Sequence, residues 1–400
     1  MKKQILLITG RNSAQLIKGQ LRKNKILAEV YQMPVDVSAF ITKDMILKEL
    51  AGKNLRNISA IIVPSAIRGD ISAVAKRLKI HCYKGPSQII DLPYIIKNIY
   101  KIQLSTTKSA DFFIKEQIYR RNEQELKEAY RKKKKFKLKI GTKSPVFIGY
   151  DYPIRLISEI VDAPRLSDRE ILKIARYYKK FGTDIIDIGM ISGEDNSEKI
   201  PNIVKILCNV NLPLSIDSSN MNEILTSVKS GIDLVLSIDE TNYKIADSID
   251  VPIVVIPRDK NGVIPKKAEE RIKLLVKLIS KLENKKIIAD PVLSPLNSGF
   301  TESIKSYIIF RRKYPEIPLM LGVGNVTELL DADSIGVNAL LAGIASEMGI
   351  ELIFTTEGSV KTRGAVKELS IAIRMMYLSK KRSQLPKDLG IDLLVAKKKR

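Results

Sequence analysis

Four polar residues stand where short apolar runs end. Asp187 lies in Asp184-Ile-Ile-Asp187-Ile-Gly189, and Asp217 closes Leu214-Ser-Ile-Asp217. Asp290 closes Ile287-Ile-Ala-Asp290, and Asn325 follows Leu321-Gly-Val-Gly. An ionised carboxylate only accepts hydrogen bonds, whereas an amide both accepts and donates. If these groups share one mouth, they suit a planar ring with two adjacent N–H donors, which one carboxylate accepts together. Composition narrows the other chemistries. The chain has one histidine, His81, and two cysteines, Cys82 and Cys208. A Ser-His-Asp triad would need His81 itself, and no nucleophile-elbow sequence accompanies it. A zinc site of several histidines or cysteines is not available, and no resident metal site is expected. His81 precedes Cys82 in an apparent strand and reads as structural. Any catalysis rests on carboxylates, amides, Lys, Arg, Ser or Thr.

The elements that must position these residues alternate regularly. Strand candidates in the second half are Val146–Gly149, Ile185–Gly189, Leu214–Asp217, Leu234–Ile238, Ile253–Ile256, Ile287–Asp290, Leu319–Gly322 and Leu352–Thr355. Each precedes a segment able to form a helix. Ser167-Asp-Arg-Glu170 is a capping-box signal, and Gly182 ends the apolar stripe that follows it. Eight βα units over 141–380 are what a TIM barrel requires, with chemistry at the C-terminal strand ends. An open doubly wound sheet of eight strands is the larger alternative. Residues 1–104 show a shorter series, with strands at Ile5–Thr9, Ala28–Met33, Ala60–Val63 and Ile80–Tyr83, and read as a small parallel α/β (βαβ) domain. The expected class is therefore α/β, a TIM (β/α)8 barrel preceded by that domain. Ile8-Thr-Gly-Arg-Asn-Ser13 could cradle a phosphate but lacks the Rossmann and Walker patterns, so a plain βα turn is the better reading. Residues 105–140 read as a charged, solvent-exposed helical linker and the start of a hairpin between Phe136–Ile140 and Pro145–Gly149. Residues 381–400 read as a basic tail.

The formal charge of +24 is uneven: the first 144 residues hold 31 basic and 11 acidic residues. The densest block is Arg131–Lys139, and a smaller one ends the chain at Lys397–Arg400. Such runs can bind phosphate-rich polymers by counterion release. No nucleic-acid motif and few aromatics accompany them, so a solvated helix end and adaptation to heat are favoured, and nucleic acid is not an expected partner. No apolar run reaches the 18 or so residues that span a bilayer, and no signal-peptide cleavage site is visible. No membrane partner and a cytoplasmic location are expected.

On these residues the chain resembles the pterin-binding barrel shared by dihydropteroate synthases and pterin-dependent methyltransferases. The matches are Asp184-Ile-Ile-Asp187-Ile-Gly189, Pro213-Leu-Ser-Ile-Asp217-Ser, Gly231-Ile-Asp-Leu-Val and Asp290-Pro291. With its N-terminal domain, the whole chain is similar to dihydropteroate synthase-like proteins of methanogenic archaea, which are thought to act around tetrahydromethanopterin. The resemblance implies that Asp217 binds the pterin, that Asp290 holds the ring's amino edge, that Asp187 lies in the pocket floor, and that the amide of Asn325 faces the ring. The chain departs from the synthases after the second barrel strand, where Met190-Ile-Ser-Gly-Glu-Asp195 replaces the loop that gathers aminobenzoate and pyrophosphate. It also departs at Leu236-Ser237, at Gly322-Val-Gly-Asn325 and after the eighth strand. Arg363, Lys361, Arg155 and Arg165 are the phosphate-binding candidates. The implied activity is condensation of a dihydropterin methyl diphosphate with an arylamine, with Mg2+ as a candidate companion of the diphosphate. Methyl transfer between a tetrahydropterin and a corrinoid or other acceptor is the alternative, and a non-catalytic pterin-binding protein is the third form. The second form needs a separate corrinoid protein, since no corrinoid-binding Asp-x-His-x-x-Gly occurs. An acidic protein partner for the basic half and a homodimer are compatible with the sequence.

Overall fold

The computed structural model describes residues 4–131, 135–282 and 284–395. Lys132–Lys134, at the heart of the basic block, and the terminal Lys397–Arg400 lie outside the described residues. The chain forms two compact units. One runs to Glu125 and takes in Asp388–Gly390; the other holds Leu126–Lys387 and the chain from Ile391 onward.

In the first unit, β1 (Gln4–Thr9), β2 (Glu29–Gln32), β3 (Ile58–Val63) and β4 (His81–Lys84) form a parallel sheet in the order β2-β1-β3-β4. β1 and β3 are almost wholly buried runs of Ile, Leu and Val, as central parallel strands covered on both faces must be. Helices Arg11–Lys23, Lys43–Leu50 and Ser72–Leu78 carry the chain back between strands. The turn at Gly10 has protein partners: the amides of Gly10, Arg11 and Asn12 donate to the Ser38 hydroxyl and to the Val35 and Asp36 carbonyls. His81 is exposed at the start of β4, its ring parallel to Tyr83.

Helix Lys115–Arg131 corrects one expectation. It is not exposed all round. Ile118, Asn122, Leu126 and Ala129 are buried at helical spacing, a stripe that the surrounding charges disguise.

The second unit opens with an antiparallel hairpin of β5 (Leu138–Ile140) and β6 (Val146–Ile148). Eight parallel strands follow: β7 (Arg155–Ile160), β8 (Ile185–Gly189), β9 (Leu214–Asp217), β10 (Leu234–Ile238), β11 (Ile253–Val255), β12 (Ile287–Ala289), β13 (Met320–Gly322) and β14 (Leu352–Thr356). Each pairs with its neighbour, β14 pairs with β7, and an Ala289–Leu319 bridge joins β12 to the start of β13. The sheet closes into a TIM barrel. The first barrel strand differs from expectation. Val146–Ile148 is apolar and short, yet its partner is Leu138–Ile140; the true first strand carries Arg155 and Glu159 near its ends, which obscured it. The helix at Asp168–Phe181 starts as expected, with Ser167 and Glu170 capping each other, and ends at Gly182 in the left-handed region, φ 97°.

Strand side chains alternate between the barrel interior and the helix layer. Ile157, Ile185, Leu234, Val254, Ile288 and Leu352 form a lower interior layer that packs against the hairpin. Residues two further along then fall one layer higher, toward the C-terminal mouth. On β7, on β8 and just after β12 that layer is polar, with Glu159, Asp187 and Asp290, while Leu236, Ile256 and Phe354 keep it apolar elsewhere. No helix among the described residues is long and apolar enough to cross a membrane.

Candidate functional site

The register of β7, β8 and β9 sets the site. Glu159 lies beside Asp187, Asp187 beside Ser215, and Gly189 beside Asp217. One carboxylate oxygen each from Glu159, Asp187 and Asp217 lies within 4.8 Å of the others. Asp187 is completely buried. Its Oδ1 accepts from the Ser215 hydroxyl at 2.5 Å, and its Oδ2 is buried with no hydrogen-bond partner. Glu159 fits because Gly189 has no side chain: a Cβ there would stand 2.2 Å from Glu159 Oε1 and 2.9 Å from its Cγ.

A cavity of about 230 Å3 opens above the cluster, walled by Glu159, Met190–Glu194, Asp217–Asn220, Glu223, Ser237 and Arg258. The β8 and β9 loops are tied together beneath it. Buried Glu223 accepts from the Asn196 amide at 2.9 Å and the Ser218 hydroxyl at 2.5 Å. Asn220, not Asp217, caps the helix Met221–Ser230, accepting from the amides of Asn222 and Glu223. Asp217 is thus not consumed as a helix cap.

Burial dominates the electrostatics, since a desolvated carboxylate is costly to ionise. Burial, then the negative charges of Asp217, Glu328 and Asp162, push Glu159 up to about 8, against a hydrogen bond with Thr356. Burial, then Asp217 and Glu159, raise Asp187 well above the usual carboxylate range, against the Ser215 hydrogen bond. Burial lifts Asp217 to about 6, opposed by Arg258. Arg258 itself pairs with Asp239 at 3.3 Å.

Asp290 follows β12 on the same rim and is 6% exposed. Its Oδ1 accepts from Tyr307 Oη at 2.5 Å and from the Val292 amide at 2.7 Å. Burial lifts it to about 6, opposed by the Tyr307 hydroxyl, the Val292 amide and Arg271. Val292 holds φ 66°, an uncommon backbone state for a β-branched residue. Buried Arg271 fastens that loop, donating to the carbonyls of Pro291 and Val292 and to the Ser294 hydroxyl. Asn325 lies in the short helix Gly324–Thr327 after β13, and its Nδ2 donates to the Leu293 carbonyl at 2.9 Å. The structure therefore puts Asp217 on the cavity wall, with Asp187 buried beside it in the same carboxylate cluster, and places Asp290 and Asn325 at the ends of β12 and β13, outside that wall.

The phosphate candidates scatter. Arg155 begins β7, at the opposite strand end from Glu159; it is buried, bonded to the Phe147 carbonyl and Asp184, and stacked over Tyr130. Arg165 is exposed and paired with Asp162 and with Glu194 of the cavity wall. Lys361 pairs with Asp331 at 2.9 Å, and Arg363 is exposed in the same loop after β14. Sequence reasoning missed Glu159, Arg258, Glu223, Tyr307 and Arg271. The Ile157-x-Glu159 repeat of the Ile185-x-Asp187 pattern was a usable signal for the first of these.

Residues 158–329 match the family described as pterin binding enzyme. Across nearly its whole length, 99% of this chain and 78% of the other, the chain is 38% identical to the uncharacterized protein MJ0107 of Methanocaldococcus jannaschii. Among solved structures, Yersinia pestis dihydropteroate synthase with a pterin-sulfa conjugate covers 61% of this chain and 100% of its own, at 16% identity and a TM-score of 0.49. The Anaplasma phagocytophilum synthase with bound 6-hydroxymethylpterin-monophosphate covers 56% of this chain and 99% of its own, at 18% identity and a TM-score of 0.44. The chain therefore belongs to one family with the archaeal protein, and its barrel carries the match to the pterin binding enzymes.

Proposed function

We propose that the protein is a pterin-binding transferase whose barrel mouth grips the ring through Asp217 and Asp290. One observation carries the reading. Asp217, deep at the end of β9, faces the cavity and is not consumed as a helix cap, so it is available to paired N–H donors. The 2-amino group and N3–H of a pterin are such a pair, which gives Asp217 the amino edge that the resemblance alone would give to Asp290. Asp290 supplies a second acceptor on the same rim, fixed in place by Tyr307 and the Val292 amide.

The first form of the reaction condenses a dihydropterin methyl diphosphate with an arylamine, in the making of a tetrahydromethanopterin- or folate-type cofactor. The carboxylates orient the ring, loss of diphosphate leaves a delocalised cation, and the amine attacks it. Mg2+ would enter with the diphosphate as part of the substrate. Arg258 is the cationic side chain on the cavity wall, and Arg363 and Lys361 lie in the loop after β14.

A second form, methyl transfer from a methyl-tetrahydropterin to a corrinoid or other acceptor on a separate protein, is favoured by the charge of the mouth. Glu159, Glu194, Asp217 and Glu223 wall the cavity against Arg258. Such a wall suits a substrate without diphosphate better than one with it.

Calorimetric titration of the protein with a dihydropterin methyl diphosphate and with a methyl-tetrahydropterin tests the reading. We expect binding of at least one, lost in Asp217→Asn and in Asp290→Asn. Binding of neither by the wild type overturns it. Diphosphate release on adding an arylamine selects the first form, and methyl transfer to a supplied corrinoid protein selects the second. Binding without either reaction leaves a pterin-binding protein that is not a transferase.

A further inference from the structure

We propose that Glu159 carries a proton at neutral pH and presents it as a hydrogen-bond donor to a ring acceptor of the bound pterin, while Asp217 serves as the ionised acceptor. The proposal rests on the pterin reading above and adds a residue and a role to it.

The geometry requires a proton in this cluster. Three carboxylates with oxygens within 4.8 Å of one another sit in the barrel core. Among the described residues none of the three forms an ion pair at contact distance. Like charges this close cannot all ionise without a counter-charge. Asp187 is the most enclosed, and one of its oxygens has no partner at all. Asp217 lies nearest to positive charge, since Arg258 is the group that opposes its burial. Glu159 and Asp217 both reach the cavity, and Glu159 is the one that has further negative charge, from Glu328 and Asp162, acting on it. Asp187 and Asp217 face it from β8 and β9, Glu328 from the end of the Gly324–Thr327 helix, and Asp162 from the loop after its own strand. Thr356 of β14 is its hydroxyl neighbour, and Tyr178 of the flanking helix donates to its main-chain carbonyl at 3.1 Å. Lys361 bears on Glu328, one residue removed from Glu159.

The role follows from what the ring lacks. Beside its donor edge a pterin has acceptors, O4 and N5, that need donors. Asn325 was the expected donor, but one of its amide hydrogens is spent on Leu293. A neutral Glu159 beside an ionised Asp217 gives the wall one donor and one acceptor from the same residue chemistry. Two carboxyls pushed apart by their surroundings can divide such roles. Gly189 makes the arrangement possible, because any side chain there would displace the Glu159 carboxyl.

The test has two arms on the full-length protein. In the first, side-chain carboxyl resonances of 13C-glutamate-labelled protein are followed against pH without ligand, with Glu159→Gln to assign the Glu159 signal. We expect that signal to titrate between about pH 7 and 9, against about 4.3 for an ordinary glutamate, and to move lower in Asp187→Asn. Titration of Glu159 below pH 6, or loss of its high-pH titration on adding Mg2+ alone, overturns the proposal; the latter would mean a cation occupies the place of the proton. In the second arm, affinity for the pterin that binds is measured across the same range. Wild-type affinity should fall about tenfold per pH unit once Glu159 ionises, while Glu159→Gln, whose amide still donates, binds without that dependence. Pterin binding that ignores pH in the wild type overturns the donor role while the pterin reading stands. No pterin binding at any pH, with the carboxyl titrating as expected, removes the pterin reading and the donor role with it.

Discussion

Two groups of carboxylates at opposite ends of the barrel are treated in opposite ways. At the N-terminal end Glu351 and Asp184 each have several donors. Glu351 accepts from Lys137 Nζ at 2.8 Å, from Arg311 Nη2 at 2.5 Å and from the Leu319 amide at 2.8 Å. Asp184 accepts from Arg155 and from the Leu156 amide. These groups clamp the hairpin, the starts of β13 and β14 and the helix Phe300–Lys313 to one another. At the C-terminal end, Glu159, Asp187 and Asp217 crowd together with Arg258 as the nearest cationic influence. A fold pays for the second arrangement only where something else benefits. Charges satisfied within the protein serve stability, and charges left unsatisfied at a strand-end mouth await a ligand or a proton.

The largest expected effect breaks the paired end. Glu351→Ala leaves Lys137 and Arg311 as buried cations without their carboxylate, and should lower unfolding free energy by about 3–5 kcal/mol in urea denaturation. Asp187→Asn at the mouth should be neutral or stabilising at pH 8, because it replaces a buried carboxyl that has no cationic partner and has one unbonded oxygen. The reverse ranking would erase the distinction between the two ends.

The pH dependence of stability sharpens the same contrast. Glu159 binds its proton more tightly in the folded state, at about 8, than in the unfolded chain, near 4.5. Between those values the native state holds more protons than the unfolded one, so stability falls as pH rises through this window. The contribution is fully present below the lower value and gone above the upper one. Thermal unfolding should therefore show a midpoint that declines from about pH 5 to pH 8, flattened in Glu159→Gln. A wild-type midpoint that rises over this range would mean that the mouth carries its charges paired.

The barrel was legible from period and punctuation. Apolar runs closed by Asp217 and Asp290, the capping box at Ser167 and the stop at Gly182 all fall where the sequence pattern puts them. The first strand was not legible, because Arg155 and Glu159 look like surface residues until the lower face of the barrel buries one and the mouth uses the other. That single displacement hid Glu159, and with it the nature of the cluster. Asp187 and Asp217 could be named one at a time, yet their closeness to Glu159 depends on the lateral register of three strands, which no local window contains. Arg155 shows the converse error: a cation that sequence alone offers to a phosphate is held at the far end of its strand by Asp184 and Tyr130.

The smallest expected loss of stability is also the most selective probe of the mouth. Gly189→Ala places a methyl group where Glu159 Oε1 now lies, 2.2 Å from the ideal Cβ position. Gly189 does not sit in the left-handed region, so alanine suits its backbone, unlike at Gly182, where φ is 97°. The clash falls on a side chain that can swing toward the cavity, and the stability loss should stay near 1 kcal/mol, at the low end for an overpacked site. Its effect on the ligand should be larger than its effect on the fold. Glu159 is pushed away from Asp187 and toward solvent, which lowers its titration point and fills part of the space the ring would occupy. Pterin affinity measured alongside the unfolding midpoint separates the two outcomes. A variant that unfolds normally and has lost its ligand places Glu159 in the binding wall; one that keeps full affinity shows that the carboxyl stands aside from the ring.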